Sequence, residues 1–338
     1  MKIILDVMGS DKGPEELIAG AVAAQKLCGA EILYVGDAEI IRSISDKNRY
    51  AIPEANIFNT TKVISMDSDP FEIRSMKDSS MRVALDMLAS DMGDAVVSCG
   101  NTGALHTGAT LYVRRIKGVH RAAISAVLPM KTPLLLLDAG ANLTVTPDHL
   151  LQFGIMGSVY MKNIFGISAP RVGLLNNGAE ETKGPHLYSE TYALLKKCPD
   201  INFVGNIEGK DIPFSKCDVL VCDGFTGNIA LKTVEGMGKF MSFSLKGIFS
   251  SLLGKLSALL VFGKIKSFKK AMNAGTHGGA PLLGISKPVV KAHGSSDSYA
   301  LCNAICKAAA FASTNVTEEI RSVLTCAVES EGGSPEKS

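Results

Sequence analysis

The sequence predicts an α/β protein built on a mostly parallel sheet with helices on both faces. Three observations predict it. Short, fully apolar runs recur along the chain, each ends abruptly in a loop of Gly, Asn, Asp and Ser, and a helical pattern usually follows. Strands that are apolar at every residue are buried on both faces, which is the environment of a parallel sheet between helical layers.

Seven runs carry the pattern. Ile3–Leu5 leads into Asp6-Val-Met-Gly-Ser-Asp11, Ala95–Val97 into Ser98-Cys-Gly-Asn-Thr-Gly103, and Leu134–Leu137 into Asp138-Ala-Gly-Ala-Asn142. Val172–Leu175 leads into Asn176-Asn-Gly178 and Phe203–Val204 into Gly205-Asn-Ile-Glu-Gly209. Val219–Val221 leads into Cys222-Asp-Gly-Phe-Thr-Gly-Asn228, and Val289–Val290 into Lys291-Ala-His-Gly-Ser-Ser296. In parallel sheets ligands bind at the carboxyl ends of strands. Any one of these loops is explained by turn chemistry alone. Seven with one vocabulary of small polar residues are expected to converge on a site at one sheet edge.

Two helices are marked by their starts. Pro14 with Glu15 and Glu16 opens one running to about Leu27, with Pro early and acids in the first turn. Thr146-Pro-Asp148 opens another, with Leu150, Phe153, Met156 and Val159 at helical spacing. The tail at 331–338 is polar, holds Gly and Pro, and is expected to be disordered.

Composition narrows the function. Hydrophobic residues make up 46% of the 338 and charged residues 20%, enough apolar material for a large core. The net charge is +2 with Lys and Arg scattered, so no nucleic-acid footprint is expected. The N-terminus has too short an apolar run for a signal peptide and is expected to begin as a cytoplasmic strand. Eight cysteines, with no Cys-x-x-Cys pair, read as small core residues in a reducing compartment.

Phe243–Phe262 stands apart. Leu245, Ile248, Phe249, Leu252, Leu253, Leu256 and Leu260 recur at spacings of three and four, with polar residues between. Lys246 and Lys255 inside it argue against a transmembrane span, and Lys264, Lys266, Lys269 and Lys270 follow. A protruding amphipathic helical segment near 240–272 is expected, lying on an anionic membrane surface or buried against a second copy.

Several chemistries lack their signatures. The first loop, Gly9-Ser-Asp-Lys-Gly-Pro14, is not Gly-x-Gly-x-x-Gly, and there is no P-loop or Gly-x-Ser-x-Gly elbow. The six histidines are isolated in sequence, so neither a metal nor a cofactor is expected. Cys99 reads either as a nucleophile, with His106 or His293 as base, or as a small strand-end residue. The remaining inventory is amide and hydroxyl donors: Asn101, Thr102, Asn142, Asn206, Asn228 and Ser295. Backbone N–H groups of Gly100–Gly103 and of Gly224 to Asn228, including Gly227, would cradle an anion at helix starts. Lys183 and Lys232 would supply local charge. That set suits a phosphate and a developing oxyanion without naming a reaction.

Four of these loops, with Asp223-Gly-Phe-Thr-Gly-Asn228 running on to Lys232-Thr233 and Glu235-Gly236, stand in a fixed order. Gly278-Gly-Ala-Pro-Leu-Leu-Gly284 and Ala292-His-Gly-Ser-Ser296 complete it. Taken in order over nearly the whole chain, they resemble the PlsX family of phosphate acyltransferases. Two positions depart from that family: Ser10 stands where a second Gly is usual, and Cys99 where a small non-thiol residue is usual.

The resemblance implies the fold of the isocitrate and isopropylmalate dehydrogenases, a three-layer α/β/α unit of two lobes, here one domain over 1–330. It implies transfer of a long-chain fatty acyl group from acyl carrier protein to inorganic phosphate. The acyl phosphate would go to phospholipid synthesis through a membrane acyltransferase. It also implies a homodimer, peripheral on the inner face of the plasma membrane. Phosphate itself would be the nucleophile, since it needs mainly positioning and charge screening. Ser98, Gly100, Asn101, Thr102, Gly103 and Asn142 would hold it, with Asn206, Glu208, Gly227 and Ser295 nearby. Lys183 or Lys232 would offset its charge. His293 and Asn228 would stabilise the oxyanion, and Asp223 or Glu208 would orient a lysine or histidine. The alternatives are a phosphate acetyl- or butyryltransferase using coenzyme A, a dehydrogenase on the same fold, or a non-catalytic acyl-binding membrane scaffold.

Overall fold

The computed structural model describes residues 1–130, 132–248, 263 and 278–331. One eleven-stranded sheet runs through them, in the order β3-β2-β1-β4-β11-β10-β5-β6-β9-β7-β8. The seven expected strands are all present: β1 (Lys2–Asp6), β4 (Ala95–Ser98), β6 (Leu134–Leu137), β7 (Arg171–Asn176), β8 (Asn202–Glu208), β9 (Val219–Val221) and β11 (Val289–Lys291). Four more complete the sheet: β2 (Glu31–Gly36), β3 (Ile57–Asn59), β5 (Ala123–Leu128) and β10 (Ala280–Leu283).

Alternate side chains on each strand point to opposite faces, and both faces are apolar. On β1, Ile4 joins one buried cluster while Ile3 and Leu5 join another; on β6, Leu134 and Leu136 part from Leu135 and Leu137 in the same way. One face carries a single cluster across the whole width, covered by α4 (Ser80–Ala89) and α5 (Thr102–Gly108) among others. The other face carries two. Helices α1 (Pro14–Cys28) and α9 (Ser298–Ala312) cover one, and α6 (Pro147–Phe165), α7 (His186–Lys197) and α10 (Val316–Glu331) cover the other. The expected helix starts are present: Pro14 opens α1, and Thr146 caps α6 with a reciprocal bond from His149.

The sheet is mixed in one instructive place. Strands β10 and β11, β10 and β5, and β5 and β6 pair antiparallel, and all other neighbours pair parallel. The β6-β9-β7-β8 set therefore runs opposite to the β3-β2-β1-β4-β11 set. The seven loops consequently do not converge on the one sheet edge expected for them. They form two groups, and helix α8 (Gly224–Ile248) leads from one toward the other.

The amphipathic segment begins earlier than its sequence pattern suggests. Its described part, 243–248, is the end of α8, a 25-residue helix that starts in the Asp223–Asn228 loop. Phe225, Ile229, Met237, Phe240, Phe243 and Ile248 are exposed on it. Most of the predicted segment, 249–262 with the lysines at 264–270, lies outside the described residues, as does the 332–338 tail. Among the described residues no helix is long and apolar enough to cross a membrane.

Candidate active site

Two loop groups build the site. In the first, the loops after β1, β4 and β11 are bound to one another. Gly9 adopts φ 73°, and a side chain there would press on the Gly100 backbone. Asp11 N–H donates to the Gly294 carbonyl at 2.9 Å, and the Ser10 hydroxyl donates to the same oxygen at 3.0 Å. Ser10 thus adds a tie between two site loops. Beneath them Ser98 Oγ donates to Asp6 Oδ2 at 2.7 Å and accepts from Gly100 N–H.

Asp6 and Lys291 are buried in this base. Burial raises the Asp6 pKa above the usual carboxylate value, against bonds from Ser98, Ser80 and Met8 and the Lys291 charge. Lys291 Nζ donates to the Cys99 carbonyl at 2.9 Å and to the Ala292 carbonyl, joining the ends of β4 and β11. Burial lowers its pKa to about 8. Neither residue stands out in the sequence, because a single charge at a strand end reads as a solvated loop residue. Cys99 is wholly buried, and burial pushes its thiol up to about 12. It remains a thiol, which favours the strand-end reading over the nucleophile.

The second group comprises the loop after β6 and the start of α8. Asp138 is a buried hub. Its carboxylate accepts from Ile124, Gly140, Ala141 and Asn142 N–H groups and from Asn142 Nδ2. The first turn of α8 rests on this loop: Gly224 N–H donates to the Asn142 carbonyl, and a Cβ on Gly227 would strike the Asp138 carbonyl oxygen. Asp223 caps the helix, accepting from Thr226 N–H and Oγ1 and from Tyr188 Oη at 2.5 Å. Burial alone would lift its pKa, but those bonds outweigh it and hold it below the ordinary value. Its carboxylate is taken up by the cap and by Tyr188, so it orients neither a lysine nor a histidine.

His293 is where the groups meet. Its Nδ1 accepts from Ser295 N–H at 3.2 Å and lies 2.8 Å from Ser295 Oγ. That leaves Nε2 to carry the proton of the neutral ring. Desolvation by the crowded loops and the Lys232 cation both lower its pKa, so the ring is neutral at pH 7. Lys232 also pairs with Glu235 at 2.9 Å. Asn228 is exposed on the first turn of α8, above Gly140.

The other expected site residues fall into three kinds. Thr102 and the Gly100–Gly103 backbone lie at the N-terminal turn of α5, with Thr102 exposed. Asn101 and Asn142 are buried with their amide N–H groups engaged: Asn101 donates to the Ser65, Met66 and Ser68 carbonyls and caps α5, while Asn142 donates to Ala122 and Asp138. Their side-chain amides shape the loops and have no N–H left for phosphate. Lys183, Asn206 and Glu208 lie by the ends of β7 and β8. Asn206 Nδ2 donates to the Glu180 carbonyl and Glu208 pairs with Lys210 at 2.7 Å, so Glu208 holds a different lysine from the two expected. Lys183 is exposed. None of the three contacts His293 or Asn228.

The family model described as "Fatty acid synthesis protein" matches residues 1–319. The chain belongs to this family. It is the family that the ordered motifs resemble, and this member is an acyltransferase. A phosphate acyltransferase of Fusobacterium nucleatum is 46% identical over 329 residues, 96% of this chain and 99% of that protein. One of Acetivibrio thermocellus is 45% identical over 325 residues, 95% of this chain and 96% of that one.

Among solved structures, a phosphotransacetylase from Streptococcus pyogenes superposes with TM-score 0.63 at 16% identity, covering 92% of this family member and 94% of that chain. A putative 4-hydroxythreonine-4-phosphate dehydrogenase from Salmonella typhimurium gives 0.52 at 12% identity, covering 92% and 99%. These likenesses carry the fold alone, and they agree with the expected α/β class.

Proposed function

We propose that the protein transfers a long-chain fatty acyl group from acyl carrier protein to inorganic phosphate, releasing acyl phosphate for phospholipid synthesis. The observation that carries this reading is the neutral His293, its Nε2–H free to donate and Lys232 close by, together with a Cys99 that is buried and stays protonated. A site that offers donors and a cation but no ready side-chain nucleophile suits an acceptor that is itself nucleophilic.

Phosphate would sit at the N-terminal turn of α5, against the backbone N–H groups of Asn101–Gly103 and the Thr102 hydroxyl, since Gly100 N–H is taken by Ser98 Oγ. Lys232 would screen its charge. One phosphate oxygen attacks the thioester carbonyl, the C–S bond breaks, and the thiolate leaves on the carrier. His293 Nε2–H and the Asn228 amide would hold the oxyanion of the tetrahedral intermediate. Residues 1–330 would act as one two-lobed domain in the cytoplasm. The exposed apolar side of α8 would serve a homodimer, a peripheral membrane contact, or both, beside the membrane acyltransferase that takes the product.

The test is thiol release from acyl carrier protein thioesters, with and without phosphate. Phosphate-dependent release with long chains is expected. Preference for short-chain coenzyme A thioesters would favour the acetyl- or butyryltransferase reading, and no release would favour a scaffold. His293→Ala and Asn228→Ala should each lower turnover by roughly a hundredfold or more. Near-normal turnover would remove that residue from the oxyanion role.

A further inference from the structure

Three of the cysteines gather on the far side of the first loop group, where α1 and α9 lie side by side. A Cβ on Gly20 of α1 would meet the Ser298 carbonyl and the Leu301 side chain of α9, so the two backbones approach closely there. Cys28 lies eight residues beyond Gly20 (28 − 20), and Cys306 eight beyond Ser298 (306 − 298). The thiols therefore fall at matching heights on helices running the same way. Cys302 and Cys306, four apart on α9, share one helix face.

Cys28 and Cys302 are both close enough to Cys306 to perturb its thiol, and the Cys28 Sγ donates to the Ala24 carbonyl at 3.1 Å. Cys28, the last residue of α1, is exposed, Cys306 is half-buried and Cys302 is buried. Burial first, and the neighbouring thiols after it, raise the Cys306 pKa. Among the described residues no three His, Cys, Asp or Glu side chains are placed to hold a metal ion. The chemistry open to this cluster is between the sulfurs.

We propose that Cys28 and the Cys302–Cys306 pair form a thiol–disulfide site, in which a hydroperoxide or a low-molecular-weight disulfide oxidises Cys28 and an α9 thiol then closes an interhelix disulfide. With hydrogen peroxide, the Cys28 thiolate attacks one peroxide oxygen, the O–O bond breaks, and Cys28 becomes a sulfenic acid with loss of hydroxide. An α9 thiol then attacks the Cys28 sulfur and expels water. Two thiols and one peroxide give one disulfide and two waters. With glutathione disulfide, the first step gives a mixed disulfide and free glutathione, and the second releases another glutathione. Cys28 is the reactive sulfur because the oxidant can reach it. Cys99, Cys217 and Cys222 are buried.

The bridge would join the two helices that begin directly after the Ser10–Gly13 and His293–Ser296 loops.

The experiment treats the full-length protein with hydrogen peroxide or glutathione disulfide, alkylates the remaining thiols and maps peptides without reduction. A Cys28 peptide linked to the peptide holding Cys302 and Cys306 is expected, with the intact chain lighter by two hydrogens and restored by dithiothreitol. Cys28→Ser should abolish the link. A Cys302→Ser, Cys306→Ser double variant should instead trap a stable glutathione adduct on Cys28, and it tests the idea even if Cys28→Ser folds poorly. Cys28 found in the unaltered protein only as free thiol, sulfinic acid or glutathione adduct, or bridged to a second chain, would overturn the proposal.

Discussion

His293 shows how the neighbourhood of one ring sets its chemistry. Ser295 N–H fixes Nδ1 as acceptor, while desolvation and Lys232 depress the pKa below its usual 6.5. Because the depressed pKa keeps the ring neutral further into acid, activity should hold below pH 6.5 and fall only as pH drops through the lowered value. Lys232→Met removes one cause of the depression, so the acid limb of kcat/KM should move toward higher pH, apart from any loss of rate. An NMR titration of the His293 ring protons would read the same shift directly. An unmoved limb would mean that Lys232 does not set the His293 charge. At this scale the sequence is least forthcoming. Asn101 and Asn142 have the residue type of ligands, but whether an amide faces substrate or its own loop depends on carbonyls from Ser65 to Ala122 that only folding brings close. Asp6 and Lys291 were illegible for the same reason.

At the scale of elements, α8 transmits most of the site geometry. Its first turn rests on the Asp138–Asn142 loop without room for a methyl group, so Gly227→Ala should push the helix start away and move Asn228 and Lys232 together. Turnover should fall by roughly tenfold or more with the unfolding midpoint lowered, since such misplacement is costly near a reacting centre. A variant with unchanged activity would show that the helix start tolerates displacement. Helix α9 carries a different burden. Lys307 Nζ is buried without a hydrogen-bond partner among the described residues, and burial lowers its pKa from 10.5 to about 8. The folded chain holds this proton more weakly than the unfolded chain, so the cost to folding is full below about pH 8 and fades toward pH 10.5. Lys307→Met should therefore stabilise the protein at neutral pH, by up to roughly 3 kcal/mol, with the gain shrinking as pH rises. Denaturant titrations at pH 7 and pH 10 would check both parts. Elements were the most legible level: Leu134–Leu137 and Val219–Val221 match observed strands to the residue, because a fully apolar run bounded by Gly and Asp has few other uses. Less legible was β10, where Pro281 interrupts the strand signal.

For the whole molecule, strand direction is what the sequence withholds. An apolar run reads the same whichever way its neighbour points, so the antiparallel turnover at β10, β5 and β6 has no local mark. The apolar side of α8 also belongs to this scale. Exchanging Phe240 and Phe243 for Glu should halve the mass measured by analytical ultracentrifugation if a second copy covers that side. It should abolish flotation with anionic vesicles if lipid does. A variant unchanged in both would leave the side without either partner.

The position of β10 and β11 has a consequence for how the chain is made. They are the last two strands in sequence, yet they occupy the middle of the sheet, between β4 and β5. A ribosome that has released only the first 277 residues has produced, among the described residues, nine strands in two blocks, each ending in an open edge that can pair with the wrong neighbour. The two blocks, and the two loop groups they carry, are joined in one sheet only when residues 280–291 emerge. Synthesis of the site thus ends with its central strands, and the nascent protein must keep two sticky edges apart until they arrive.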